Sequence, residues 1–158
     1  MPGRTKVIIV EDHPIFRMGM KELIDSEEDL NVIGEAENVA EALNLIKKNP
    51  PDLVIVDLSL KDSNGIELVK EIHNNYKRIY SLVLSMHDES LHAERCILAG
   101  AKGYIMKQEA SESVVTAIRH IMSDKIYVSP DIMANILNKF QSQPDLINES
   151  PLKRLTNR

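Results

Sequence analysis

Four places in this chain set an oxygen- or nitrogen-bearing side chain directly after a short apolar run: Glu11 with Asp12, then Asp57, Ser85 and Lys107. Carboxylates gathered at one point repel, so either some protonate or a cation sits among them. A hard divalent ion with oxygen ligands is the simpler solution. Mg²⁺ takes one or two carboxylates, keeps several waters and accepts a phosphate oxygen, which suits phosphoryl transfer. One carboxylate can then serve as nucleophile and form an acyl phosphate. Lys107 would neutralise a phosphoryl oxygen as a point charge, and the Ser85 hydroxyl would donate to another. Taken singly these are ordinary residues, because acids favour helix starts, a lone aspartate often caps a turn, and a serine or lysine is commonly just solvated. Their meaning depends on whether the fold brings them together.

Five apolar runs, at 7–10, 32–36, 53–56, 82–84 and 104–106, are mostly rich in Val and Ile without polar alternation, the pattern of strands buried on both faces. Segments with helical spacing lie between and after them, at about 14–27, 38–48, 65–75, 90–99 and 111–123. The third is entered at Asn64-Gly65 and the fourth is left at Gly100. This alternation predicts an α/β fold, a (βα)₅ doubly wound parallel sheet of flavodoxin-like order 2-1-3-4-5. Five units are too few for an eight-fold barrel. In that order the first and third strands are neighbours, and ligands bind beyond the carboxyl ends of the strands where the order reverses. Glu11, Asp12 and Asp57 converge there, with Ser85 closing the fourth strand and Lys107 the fifth.

Beyond Lys125 the pattern changes. Ser129 suits an N-cap and Pro130 a first helical position, and Ile132, Met133, Ile136, Leu137 and Phe140 form one stripe, which predicts an extra C-terminal helix over about 130–140. Residues 141–151 have the Ser, Gln, Asn, Asp, Glu and Pro composition of a linker. The expected organisation is a main domain over 1–125, a linker helix region over 126–141 and a flexible segment over 142–158. The apolar stripe must bury itself on its own domain, a second protomer or a further domain.

Composition narrows the function classes. With 158 residues, 43% hydrophobic and 27% charged, the chain can build one hydrophobic core plus a tail. A net charge of -5 argues against a broad surface for nucleic acid or anionic lipid. Cys96 is the sole cysteine, so no internal disulfide forms, and neither a signal-peptide core nor an apolar run near 20 residues is present. A cytoplasmic setting with no membrane partner is expected. Neither G-x-G-x-x-G nor G-x-x-x-x-G-K-[ST] follows the first strand, which argues against nucleotide binding. His13 adjoins the acids but lacks a second His or Cys for a zinc site. His87 stands where it could border the site, and Cys96 reads as a small buried residue of the fourth helix.

The blocks VIIVEDHPIFRMGM, LVIVDLSL followed by NG, LVLSMHDE and GYIMK resemble, in order and spacing, the receiver domain of bacterial two-component response regulators over residues 6 to about 123. The resemblance implies a phosphoacceptor at Asp57, an acidic metal pair at Glu11 and Asp12, and a further Mg²⁺ ligand in the carbonyl of Ser59. It also implies a switch hydroxyl at Ser85, a switch aromatic at Tyr104 and a phosphate-binding lysine at Lys107. EDHP after the first strand and SMHDE after the fourth are similar to the NarL/LuxR-type branch, and LKRLTNR at 152–158 resembles the opening of its DNA-binding module. A regulatory phosphoacceptor is then expected rather than an enzyme. Its donor would be a sensor histidine kinase, homodimerisation is a conceivable response to phosphorylation, and DNA would be reached only through a C-terminal helix-turn-helix domain absent from this chain. The competing reading is an aspartate-based phosphohydrolase for small phosphate esters. Such enzymes need an acid two residues after the nucleophile, where this chain has Ser59. One departure stands out: many receivers carry proline four residues after the phosphoacceptor, and here that residue is Lys61, whose charge and freer backbone could alter the loop.

Overall fold

The computed structural model describes residues 3–86 and 90–142, so His87 and the sequence readings over 143–158 lie outside the described residues. Five parallel strands, β1 (Thr5–Val10), β2 (Leu30–Ala36), β3 (Leu53–Asp57), β4 (Tyr80–Ser85) and β5 (Gly103–Met106), form one sheet in the order β2-β1-β3-β4-β5. The expected α/β fold and strand order are those observed. Because successive side chains leave a strand on opposite faces, the unbroken Val/Ile runs feed two separate cores. Val7, Ile9, Leu53, Ile55, Leu82 and Leu84 meet α1 (Pro14–Asp25) and α5 (Ala110–Met122). Ile8, Val10, Val54, Val56 and Val83 meet α2 (Val39–Lys48), α3 (Gly65–Asn75) and α4 (Ser90–Ala99) on the other face. β3 is buried throughout, as a central strand covered on both sides must be.

Local chemistry fixes where the helices begin. Pro14 sits at the start of α1, where its missing N–H costs nothing. Asn38 caps α2 by accepting from Glu41 N at 2.9 Å, and Asn64 caps α3 by accepting from Ile66 N at 3.0 Å. Gly65, the first residue of α3, lies so close to β3 that an added Cβ would stand 2.8 Å from the Asp57 carbonyl oxygen. The expected helix over 14–27 is shorter in the structure: α1 ends at Asp25, whose Oδ1 accepts from Val32 N at 2.8 Å and ties the turn to β2.

The predicted C-terminal helix is present as α6 (Pro130–Ser142), packed on the chain's own α4, with Ile132 and Ile136 inside the core, Met133 partly buried against it and Leu137 exposed. Lys139 Nζ lies 2.8 Å from Glu94 Oε2. The approach to α6 pairs with the edge of β5, Tyr127 N donating to Lys102 O at 2.9 Å and Tyr104 N to Tyr127 O at 3.0 Å. Among the described residues no helix is long and apolar enough to cross a membrane.

Gly100 ends the turn after α4 at φ +120, a conformation that L side chains rarely adopt, and an added Cβ would meet His73 Cγ at 2.4 Å and Cβ at 2.5 Å. Both penalties apply at once, so Gly100→Ala is expected to cost about 2–4 kcal/mol. A lowered urea midpoint at unchanged slope is the measurement that checks this.

Candidate functional site: an acidic pocket at the carboxyl ends of β1 and β3

Parallel strands end on the same side, and the adjacency of β1 and β3 delivers the acids to one pocket. Glu11, Asp12, His13 and Asp57 each offer a ligand atom there, all within 4.8 Å of one another. Glu11 and Asp57 are fully buried and Lys107 is nearly so. Lys107 Nζ stands 2.9 Å from Glu11 Oε1 and 3.3 Å from Asp57 Oδ2, so the ammonium bridges the two buried carboxylates. It also lies 4.7 Å from the centre of the Phe16 ring, held between anions and an aromatic face.

Each acid is oriented by the backbone around it. Asp57 Oδ1 accepts from Ser59 N at 2.9 Å. Asp12 Oδ2 accepts from Lys61 N, also at 2.9 Å. This gives the Lys61 departure a physical meaning, because a proline at that position would have no N–H to donate. The Glu11 carbonyl accepts from Arg17 Nη1 at 2.6 Å, and the same guanidinium pairs with Glu35 at 3.2 Å and Glu37 at 3.4 Å. Sequence reasoning did not single out Arg17 or Phe16. Their spacing from His13, four residues for Arg17 and three for Phe16, was the available signal.

Burial raises the Glu11 carboxyl, but Lys107, the His13 backbone N–H and the neighbouring His13 ring outweigh it and hold Glu11 below the ordinary range. Burial also raises Asp57, and the charge on Glu11 adds to that rise. Ser59 N–H and Lys107 oppose it without cancelling it, so Asp57 stays above its usual value. Lys107 is lowered by burial but raised by more through Glu11 and Asp57, and remains firmly charged.

Two oxygens in the pocket, Glu11 Oε1 and Asp12 Oδ1, are buried without a hydrogen-bond donor. Lys107 Nζ is close to the first but off a hydrogen-bond direction, so its attraction there is ionic. Donor-poor carboxylate oxygens converging from adjacent strands fit a hard divalent cation.

The sequence profile of the response regulator receiver domain matches residues 7–119. The chain belongs to that family. The oxygen regulatory protein NreC of Staphylococcus epidermidis is 30% identical over 97% of this chain and 72% of its own length. The transcriptional regulatory protein DegU of Brevibacillus brevis is 26% identical over 93% of this chain, which spans 61% of that relative. A LuxR-family two-component response regulator from Aurantimonas sp. SI85-9A1 superposes with a TM-score of 0.77 at 34% identity, covering 85% of this chain and 96% of that one. This receiver is of the NarL/LuxR-type branch, and its relatives are transcriptional regulators.

Within the receiver, Ser85 ends β4 as a buried residue, with Met106 of β5 as its register partner. Tyr104 lies on β5 with its side chain in the core shared by α4 and α6, together with Ile132 and Ile136. The structure thus gathers Glu11, Asp12, Asp57 and Lys107 into one pocket, and sets Tyr104 in the packing between the sheet and α6. Cys96 is buried on α4, as expected, and burial pushes its thiol up to about 12.

Asp12→Asn keeps an amide oxygen for the Lys61 N–H while removing one charge from the pocket. It is expected to weaken Mg²⁺ binding at least about tenfold and to leave the metal-free protein as stable or slightly more so. Paired metal titrations and thermal melts check both halves, and a marked fall in the metal-free melting temperature contradicts them.

Proposed function

We propose that Asp57 is the phosphoacceptor of this receiver, that Glu11, Asp12, Asp57 and the Ser59 carbonyl hold Mg²⁺, and that Lys107 recognises the transferred phosphoryl group. The observation that carries this reading is the buried Lys107 bridging Glu11 and Asp57 where the strand order reverses. A bound Mg²⁺ supplies charge compensation for the attacking and leaving oxygens. The Asp57 carboxylate attacks the phosphorus of a phosphohistidine. The phosphorus–nitrogen bond breaks, its electron pair returns to the imidazole, and an acyl phosphate forms on Asp57. The Ser59 N–H holds the Asp57 carboxylate in one orientation.

Two charges then meet one cation differently. Lys107 leaves its bridge between the carboxylates to pair with the phosphoryl oxygens, and the Ser85 hydroxyl donates to the same group. Those new contacts stabilise an alternative arrangement of β4, β5 and Tyr104, a population shift whose extent equals the differential contact energy. The protein is a regulator, not a turnover enzyme, since Ser59 stands where a phosphohydrolase would keep a proton donor. A sensor histidine kinase as donor, a cytoplasmic location, and control of a C-terminal DNA-binding domain complete the reading.

Beryllofluoride, a phosphoryl mimic, tests it. With Mg²⁺ the amide resonances of Ser85, Tyr104 and Lys107 should shift in a saturable way, and without Mg²⁺ they should not. Shifts confined to Asp57 would mean that the pocket binds a phosphoryl group without switching.

A further inference from the structure

We infer that His13 is a ligand of the cation site, its Nδ1 standing beside the carboxylates of Glu11 and Asp12, so that the site favours Mn²⁺ and similar borderline divalent ions over Mg²⁺. The inference rests on the reading of Glu11, Asp12 and Asp57 as a cation site.

His13 occupies the N-cap position of α1, yet its side chain makes no capping hydrogen bond. The imidazole is turned toward the acids instead. Nδ1 lies 3.0 Å from Glu11 Oε2 and 3.4 Å from Asp12 Oδ1. Ligand atoms that share an ion at about 2.1 Å stand roughly 3.0 Å apart along an octahedral edge and roughly 3.4 Å apart in a tetrahedron. The 3.0 Å separation is that of an octahedral pair and the 3.4 Å one is somewhat wider, so a small turn of the ring would let all three atoms share one ion. A second observation concerns the oxygens themselves: the buried Asp12 Oδ1, 3.4 Å from Nδ1, has no hydrogen-bond donor, and fully buried Glu11 Oε1 has none either, its charge met by the Lys107 ammonium at 2.9 Å.

The electrostatics agree with the geometry. Lys107 Nζ lies 3.1 Å from His13 Nδ1, so with the ring proton on Nε2 the Nδ1 lone pair faces an ammonium. In that tautomer Nδ1 would be open to a divalent ion once Lys107 pairs with a phosphoryl group. The His13 side chain is 55% exposed, so the pocket is open to solvent on its side. A site of carboxylates and carbonyls alone suits Mg²⁺, whereas an imidazole ligand strengthens binding along the series that begins with Mn²⁺ and costs Mg²⁺ a poorly matched partner. The plain alternative is that Nδ1–H merely donates to Glu11 Oε2 and braces it. That arrangement has no nitrogen on the metal.

Mn²⁺ added to the intact chain, followed by electron spin echo envelope modulation, separates the two. The unlabelled protein should show ¹⁴N modulation, a [¹⁵N]histidine-labelled protein should show the ¹⁵N pattern in its place, and His13→Gln should show neither. In parallel titrations His13→Gln should weaken Mn²⁺ about tenfold and change Mg²⁺ by less than about twofold. Isotope labelling leaves the fold untouched, so the nitrogen assignment does not depend on the variant folding. Mn²⁺ binding that is lost in Asp12→Asn but carries no nitrogen modulation overturns the role of His13 and leaves the carboxylate site standing. Nitrogen modulation that survives His13→Gln assigns the ligand to another histidine and overturns it equally. Failure of the unsubstituted protein to bind Mn²⁺ or Mg²⁺ removes the cation site, and this inference with it.

Discussion

Lys107→Ala is expected to destabilise the metal-free protein by about 2–4 kcal/mol near neutral pH, because it leaves two carboxylates buried together with no cation between them. Glu11 and Asp57 have no exposed surface, so water cannot replace the ammonium without opening the pocket. The sign of the pH dependence follows from the two shifts. Glu11 is held below the ordinary glutamate value, so its stabilising contribution is present above that ordinary value and is lost as pH falls through its lowered one. Asp57 is raised above 3.8, so its charge costs stability at neutral pH, and that cost disappears as pH falls through its raised value. Without Lys107 both groups rise, and both then favour the folded state as the solution is acidified. The gap between variant and unsubstituted protein should therefore be widest near pH 7 and narrow steadily toward pH 4. Mg²⁺ at a hundredfold excess over its Kd should restore up to about 2.7 kcal/mol. Denaturation midpoints across that range, with and without Mg²⁺, check the prediction, and a pH-independent gap contradicts it.

Asp57→Asn should have the opposite effect on stability and a larger one on function. The amide keeps an oxygen for the Ser59 N–H, now 2.9 Å from Asp57 Oδ1, and removes the carboxylate that burial and Glu11 disfavour. Lys107 retains Glu11 as its partner at 2.9 Å. The metal-free variant should be more stable by on the order of 1 kcal/mol at neutral pH, with the difference vanishing in acid as Asp57 of the parent protonates. Mg²⁺ should bind more weakly, and uptake of a phosphoryl group from acetyl phosphate should be abolished rather than slowed, since an amide is not a nucleophile in this role. Residual labelling at the parent's rate would transfer the chemistry to another residue.

The fold was legible because its strands are short Val/Ile runs, and a strand buried on both faces can only lie inside a covered parallel sheet. The same runs revealed which residues end each strand, which is why Glu11, Asp12, Asp57 and Lys107 were readable as one pocket. What escaped depends on backbone paths or on geometry between elements. Lys61 serves Asp12 through its N–H, which its side chain does not advertise. Arg17 and Phe16 reach the pocket only because α1 leaves β1 at a particular angle. The pairing of Tyr127 with the β5 edge involves too few residues to show a period, and Lys107–Glu109 tightens into a 3₁₀ turn that helical spacing does not signal. α1 stops at Asp25 because a side chain there bonds across to β2, a tertiary contact that overrides a continuing helical pattern. The roles assigned to Ser85 and Tyr104 come from the resemblance, whereas their burial comes from the structure.

The central claim, that Asp57 accepts a phosphoryl group in a cation-dependent reaction, is tested most directly by trapping the acyl phosphate where it forms. The protein is incubated with acetyl phosphate and Mg²⁺, reduced with borohydride to convert an aspartyl phosphate to homoserine, and mapped by peptide mass spectrometry. Homoserine at position 57 alone, absent when Mg²⁺ is chelated, is the predicted result. Homoserine at Glu11's neighbour Asp12, an unmodified position 57, or equal modification without Mg²⁺ would contradict it.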